Sequence, residues 1–228
     1  MTNPPPSPSR LQGFNMGFLG GYVDTLGFIG LFGLFTAHVT GNFVLLGAAL
    51  ADPVHIPSLL KILAFPAFIV GIAAMRLLVV RCERLGVDAH RPSYLLQLAL
   101  LLAFMVCGML SEPVQRDMSQ LAMAAGLLGT TAMGAHSAAS KLLLAHLAPT
   151  SMMTGNVTQL VIDSVDVLRG AGDAATTARC GKFFWPLFGF AIGCAAGAFL
   201  FLAYGFVALA VPVAILVLHM LRPSLDQA

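Results

Sequence analysis

Six apolar stretches, each close to the length a helix needs to cross a lipid bilayer, dominate this chain. They run from Phe14 to Phe35, Leu59 to Val80, Tyr94 to Leu110, Leu121 to Leu144, Phe183 to Tyr204 and Phe206 to Leu221. A crossing helix takes about 20 apolar residues, because in hydrocarbon only a helix or a closed barrel satisfies its own backbone hydrogen bonds. Of the 228 residues, 58% are hydrophobic and 10% charged, too few charges to keep the outer faces of these helices in water. The expected fold is an all-α integral membrane protein of about six transmembrane helices. Six spans and short loops use the whole length, leaving no room for a soluble catalytic domain.

Two shorter stretches break the pattern. Thr40 to Leu50 and Thr154 to Leu168 are too short or too polar for a lipid-facing span, and both open on Thr-Gly-Asn. The second tripeptide follows the first by 114 residues (154 minus 40), half the chain. Downstream, Ile69-Val70-Gly71-Ile72-Ala73-Ala74 is echoed by Ala191-Ile192-Gly193-Cys194-Ala195-Ala196. Common ancestry of two halves accounts for this, with repeats expected over 13–111 and 118–222 in one membrane domain. Chance coincidence of Gly-Ala patterns in an apolar chain is the competing account.

Lys and Arg in short loops stay on the cytoplasmic side. Arg10, then Arg81, Arg84 and Arg91, then Arg169, Arg179 and Lys182, and finally Arg222 all fall inside if there are six spans and both termini are cytoplasmic. Eight full spans would put some of these groups outside. The two Thr-Gly-Asn segments are therefore expected to be half-helices without net crossing. Each half then has three spans, so the second enters the membrane from the opposite side, an inverted repeat of the kind secondary transporters use. The Pro- and Ser-rich start is expected to be a disordered tail over 1–12. The apolar stretch after it is too long for a signal peptide and lacks a small-residue cleavage site, so it stays as the first span.

The candidate functional residues are the polar groups in these apolar surroundings. Asp24 lies near the middle of the first stretch, where a carboxylate costs about 2.5 to 3.5 kcal/mol and cannot easily reach an interface. A proton or cation site facing the bundle interior is one explanation; a protonated or hydrogen-bonded Asp tying two helices together is the other. In Thr40-Gly41-Asn42 and Thr154-Gly155-Asn156, the Thr can cap the next helix and Gly allows close backbone approach. Asn brings donors and an acceptor. Free N–H groups at a half-helix start make an anion or polar-solute site, with caps and tight packing as the simpler reading. His38 and His136 can titrate near neutral pH and relay protons, although a buried His is ordinarily just hydrogen-bonded. Gly17, Gly20, Gly21, Gly27, Gly30 and Gly33 recur partly at three- and four-residue spacing, as close helix packing in lipid requires.

Other chemistries lack their parts. No His spacing or carboxylate partner makes a metal site, and no cofactor is implied. Cys82, Cys107, Cys180 and Cys194 form no Cys-x-x-Cys pair and read as small buried hydrophobes. A formal net charge of +2 with no long basic run excludes nucleic acid as an expected partner. Hydrolase elbows, Walker loops and dinucleotide fingerprints are missing, so no enzyme is expected.

Gly21-Tyr22-Val23-Asp24, followed by Phe35-Thr36-Ala37-His38-Val39-Thr40-Gly41-Asn42, resembles the YoaK-type family of bacterial inner-membrane proteins, whose domain (DUF1275) has no known function. The resemblance spans nearly the whole chain and implies a bacterial cytoplasmic-membrane location. Where that family often has Gln-Asn, this chain has His136-Ser137. The resulting expectation is a small secondary transporter or permease for a small polar or anionic solute, coupled to a proton at Asp24. Its partners would be the lipid bilayer, that solute or ion, and a second copy of the chain to enclose the pathway. A non-transporting scaffold or regulatory membrane protein is the alternative.

Overall fold

The computed structural model describes residues 8–51, 59–113, 119–151 and 153–221. Among these there are α-helices, one 3-10 helix and no strands. In chain order they are α1 (Pro8–Gly30), α2 (Val39–Ala51), α3 (Leu59–Leu85), α4 (His90–Leu110), α5 (Gln120–Leu142), α6 (Met153–Leu168), α7 (Ala174–Tyr204), a 3-10 turn (Gly205–Leu209) and α8 (Ala210–Leu221). The six apolar stretches become α1, α3, α4, α5, α7 and the 3-10 turn with α8, and the two Thr-Gly-Asn stretches become α2 and α6.

Two boundaries differ from expectation. The tail expected through residue 12 is already helical from Pro8; its earlier part, residues 1–7, lies outside the described residues, as does Arg222. The first stretch, expected to reach Phe35, stops at Gly30 because the backbone turns left-handed at Phe32 (φ 52°) and Gly33 (φ 77°). That turn sends residues 34–38 back along α1.

Three helical stretches are long and apolar enough to cross a membrane: Leu59–Leu85, His90–Leu110 and the joined Ala174–Leu221. This is compatible with a membrane protein. Helices α1 and α5 are of similar length, 23 residues each, but more polar. Their position explains it. α1 packs on α7, and α5 is flanked by α3 and α4, so both meet protein on faces that a lipid-exposed helix must keep apolar. α5 buries Ala125, Gly126, Gly129, Thr130, Ala132 and Gly134, small residues that let neighbours come close.

The α1–α7 contact is made by two interleaved glycine ladders. A Cβ on Gly17 or Gly21 would strike the backbone carbonyl of Pro186 or Phe190; one on Gly189, Gly193 or Gly197 would strike that of Phe14, Phe18 or Tyr22. Backbones this close gain dispersion along the whole seam, the main attraction between helices where hydrocarbon surrounds them. The α3–α5 contact repeats the device, with Gly71 against the Thr131 carbonyl and Gly134 against that of Phe68. α1 on α7 and α5 on α3 thus pack by the same device. Between these pairs lies one core, including Leu19, Tyr22, Leu34, Phe104, Met133 and Phe206.

Candidate functional site

Asp24 sits two turns before the end of α1 and is 4% exposed. The turn at Phe32 and Gly33 carries the next segment back over it, and the carboxylate is met from four directions. Its Oδ1 accepts from the Ala37 N–H at 2.7 Å, the His38 N–H at 3.4 Å and the Thr36 hydroxyl at 3.3 Å. Its Oδ2 lies 2.7 Å from His38 Nδ1. These partners answer the desolvation cost that a buried carboxylate incurs. His38 differs from Asp24 in one respect that matters: its side chain is 34% exposed, against 6% for Asp24. The imidazole lies edge-on to Phe190 of α7, ring centroids 5.4 Å apart. A buried acid therefore touches the outside through one titratable ring.

Next to this pair, Asn42 pins its own loop. Its Nδ2 donates to the Phe35 carbonyl at 2.8 Å and its Oδ1 accepts from the Phe35 N–H at 3.0 Å. Asn156 does half of this, donating to the Pro149 carbonyl at 2.6 Å, again seven residues back. The missing half has a covalent reason, since Pro149 has no N–H to give. Both asparagines are 1% exposed, so in both copies the amide is used inside the protein. The helices begin at Val39 and Met153, which places Thr40 and Thr154 inside the first turn, exposed, and not at the capping position the sequence reading gave them. Gly41 lies under the Phe35 ring, where a Cβ would come within 2.9 Å; around Gly155 there is open space.

His136 belongs to a separate network. It is 2% exposed on α5, with Nδ1 3.1 Å from Gln97 Oε1 of α4 and Nε2 3.1 Å from Thr150 Oγ1. Because an amide oxygen only accepts, Nδ1 carries the hydrogen and Nε2 accepts from Thr150. Both ring nitrogens are then used by neutral partners. Gln97 continues to the Ser93 carbonyl at 3.3 Å, and the Thr150 N–H donates to Ser140 Oγ at 3.3 Å. No hydrogen bond joins this network to Asp24 among the described residues. They approach each other across α1, where a Cβ on Gly20 would lie 3.0 Å from the Thr150 carbonyl.

Sequence reasoning passed over several participants. Thr36 and Thr150 each stand six residues before an asparagine of the repeated tripeptide, and each hydroxyl meets α1 or α5 of its own half. That shared spacing was the available signal. Asp163 of α6, 2% exposed, is held by the Arg179 fork of α7, with Nη2 to Oδ1 at 2.9 Å and Nε to Oδ2 at 3.2 Å. Gln159 adds a bond to Asp163 Oδ1 at 3.0 Å. The pair bolts the second short helix to α7. In the turn before α7, the Thr176 hydroxyl and backbone N–H, both 2.7 Å from Asp173 Oδ1, hold the Asp173 carboxyl below the usual carboxylate range.

Among the described residues, no group of three or more His, Cys, Asp or Glu side chains is placed to hold a metal ion.

A family model described as "Protein of unknown function (DUF1275)" matches residues 12–221. The chain belongs to that family. No curated protein and no solved structure matches it. The matched span takes in both tripeptides, the Asp24–His38 pair and the His136 network.

Proposed function

We propose that this chain is a small permease of the bacterial cytoplasmic membrane, carrying a small polar or anionic solute, with proton binding at the Asp24–His38 pair linked to that movement. One observation carries the reading: a carboxylate buried in an interior helix is bonded at 2.7 Å to an imidazole that is one-third exposed. A proton arriving at the free ring nitrogen of His38 is stabilised by the carboxylate behind it, and its departure leaves Asp24 held by three donors from residues 36–38. Gain or loss of that proton changes the bond joining α1 to the start of α2, so charge and helix position are coupled.

Six crossings in two inverted halves, with α2 and α6 as half-helices and both termini cytoplasmic, is the membrane arrangement we propose. The reciprocal packing of α1 on α7 and α5 on α3, and the asparagine bonds recurring 114 residues apart (156 minus 42), support it.

The test is entry of polar probes into proteoliposomes, read as swelling in iso-osmotic glycerol, urea, glycine, or potassium nitrate with a potassium ionophore. It is run at about pH 6 and about pH 8, either side of the ordinary imidazole range. At least one probe should enter faster than into protein-free vesicles, at a rate that depends on pH, and Asp24→Asn should remove the pH dependence while the protein stays folded. If every probe enters at the protein-free rate at both pH values, the permease reading fails.

The scaffold reading keeps one observation on its side, the full use of Asn42 and Asn156 in local backbone bonds. It requires a membrane partner that co-purifies with the wild-type protein and is lost when the α2 or α6 bonds are removed.

A further inference from the structure

A cavity of about 290 Å³ opens beside the second tripeptide loop, between the end of α5 and the first turns of α7. That volume is near the lower end of small-molecule sites, roughly 300 Å³, and well beyond what one water fills. Its lining includes Ser140, Lys141, Ala145, Pro149, Lys182 and Phe183, and no carboxylate.

Two lysines on different helices, both solvent-exposed, thus line one small space. Among the described residues Lys141 has no hydrogen-bond or ion-pair partner, and Lys182 has only a long bond, 3.5 Å, to the Ala145 carbonyl. A lysine in the last turn of a helix offsets the negative end of the helix dipole, which accounts for Lys141. It does not account for Lys182, which sits in the early part of α7, towards the positive end of that helix, and lines the same cavity as Lys141.

The third feature is Ser140. It is 4% exposed, its oxygen accepts from the Thr150 N–H at 3.3 Å, and its hydroxyl hydrogen meets no acceptor among the described residues. A buried donor left unused on a cavity wall costs free energy unless something in the cavity accepts from it.

We propose that this cavity binds a phosphate-type oxyanion, with Lys141 and Lys182 supplying charge and Ser140 donating its hydroxyl. The anion supplies what the two lysines and the serine lack, negative charge and several acceptor oxygens. Behind Ser140 lies Thr150, whose N–H donates to the Ser140 oxygen and whose hydroxyl meets the buried His136, itself bonded to Gln97. The source of the oxyanion is either free solute or the headgroup of an anionic lipid, and both present the same chemistry.

The experiment uses the full chain and reads binding without flux, so it stands or falls apart from the permease reading. In detergent, the melting midpoint is followed against inorganic phosphate, with chloride at matched ionic strength as the control. In parallel it is followed in nanodiscs of phosphatidylcholine alone and with phosphatidic acid. A saturable rise with phosphate, weakened about tenfold for each lysine replaced in Lys141→Gln and Lys182→Gln, identifies a free oxyanion, one charge-assisted hydrogen bond being of that size. A lysine-dependent rise seen only with phosphatidic acid identifies the headgroup. Lys141→Arg and Lys182→Arg should keep the effect. Should Lys141→Gln fail to fold, the exposed Lys182→Gln and the buried Ser140→Ala are read in its place, each expected to weaken binding. No rise with either source, or an equal rise in folded glutamine variants, overturns the proposal.

Discussion

The hydroxyl of Tyr22, on a fully buried face of α1, donates to the carbonyl of Ala208 across 2.7 Å and so ties the first long helix to the 3-10 turn ahead of α8. The bond spans 186 residues. Tyr22→Phe keeps the ring and leaves the Ala208 carbonyl with only the Ala210 N–H, a loss of one hydrogen bond worth about 0.5–1.5 kcal/mol. Equilibrium unfolding in mixed detergent should show the loss, and an unchanged midpoint would mean that water reaches Ala208.

Glycine seams make a sharper prediction because their members are not equivalent. Gly193→Leu puts a large side chain where the Phe18 carbonyl already lies, and α1 and α7 must separate. The expected result is loss of monodisperse protein on gel filtration. Gly155→Ala, in a helix and facing open space, should be neutral or stabilising by up to about 1 kcal/mol. Equal behaviour of the two variants would rule out the α1–α7 contact as described.

The two asparagines should part company in the same way. Asn42→Ala removes two bonds to Phe35, one of them leaving a backbone N–H without its acceptor; Asn156→Ala removes one bond to a proline carbonyl and a weak one, 3.6 Å, to the Met153 sulfur. Asn42→Ala should therefore lower the melting midpoint more. The reverse order would show that the bonds to Phe35 and Pro149 do not set the strength of each loop.

Asp173 gives a pH dependence with a definite sign. Its folded-state carboxyl lies below the unfolded value, about 3.9, because Thr176 donates to it twice. The carboxylate is a proton-poor native group, so its contribution is fully present above about pH 4 and fades as pH falls through the lower folded value. The stability difference between wild type and Asp173→Ala should shrink on acidification below about pH 4. A difference that grows on acidification would contradict the depressed carboxyl.

Much of the helical layout was legible in the sequence. Leu59, Tyr94 and Leu121 lie at or within a few residues of helix starts because long apolar runs allow little else. Asp24 stood out for a related reason, as a carboxylate that had to be explained. Its link to His38 was not legible, since it depends on the left-handed turn at Phe32 and Gly33 reversing the chain, and nothing about Phe32 advertises a positive φ. Gln97 lies 39 residues from His136, and Asp163 and Arg179 belong to different helices, so their pairing is a product of packing that no local pattern contains. Thr36 and Thr150 were hidden by their ordinariness, being single hydroxyls in loops whose burial only the folded chain reveals.

The glycine seam between α1 and α7 also has a consequence for synthesis. A ribosome releases α1 first, and the backbone that fits into its seam is made only after most of the chain has followed. Until then α1, with its acid and its row of glycines, waits unmatched. The first half made alone should thus be a substrate for quality-control proteolysis, and supplying the second half as a separate polypeptide should rescue it.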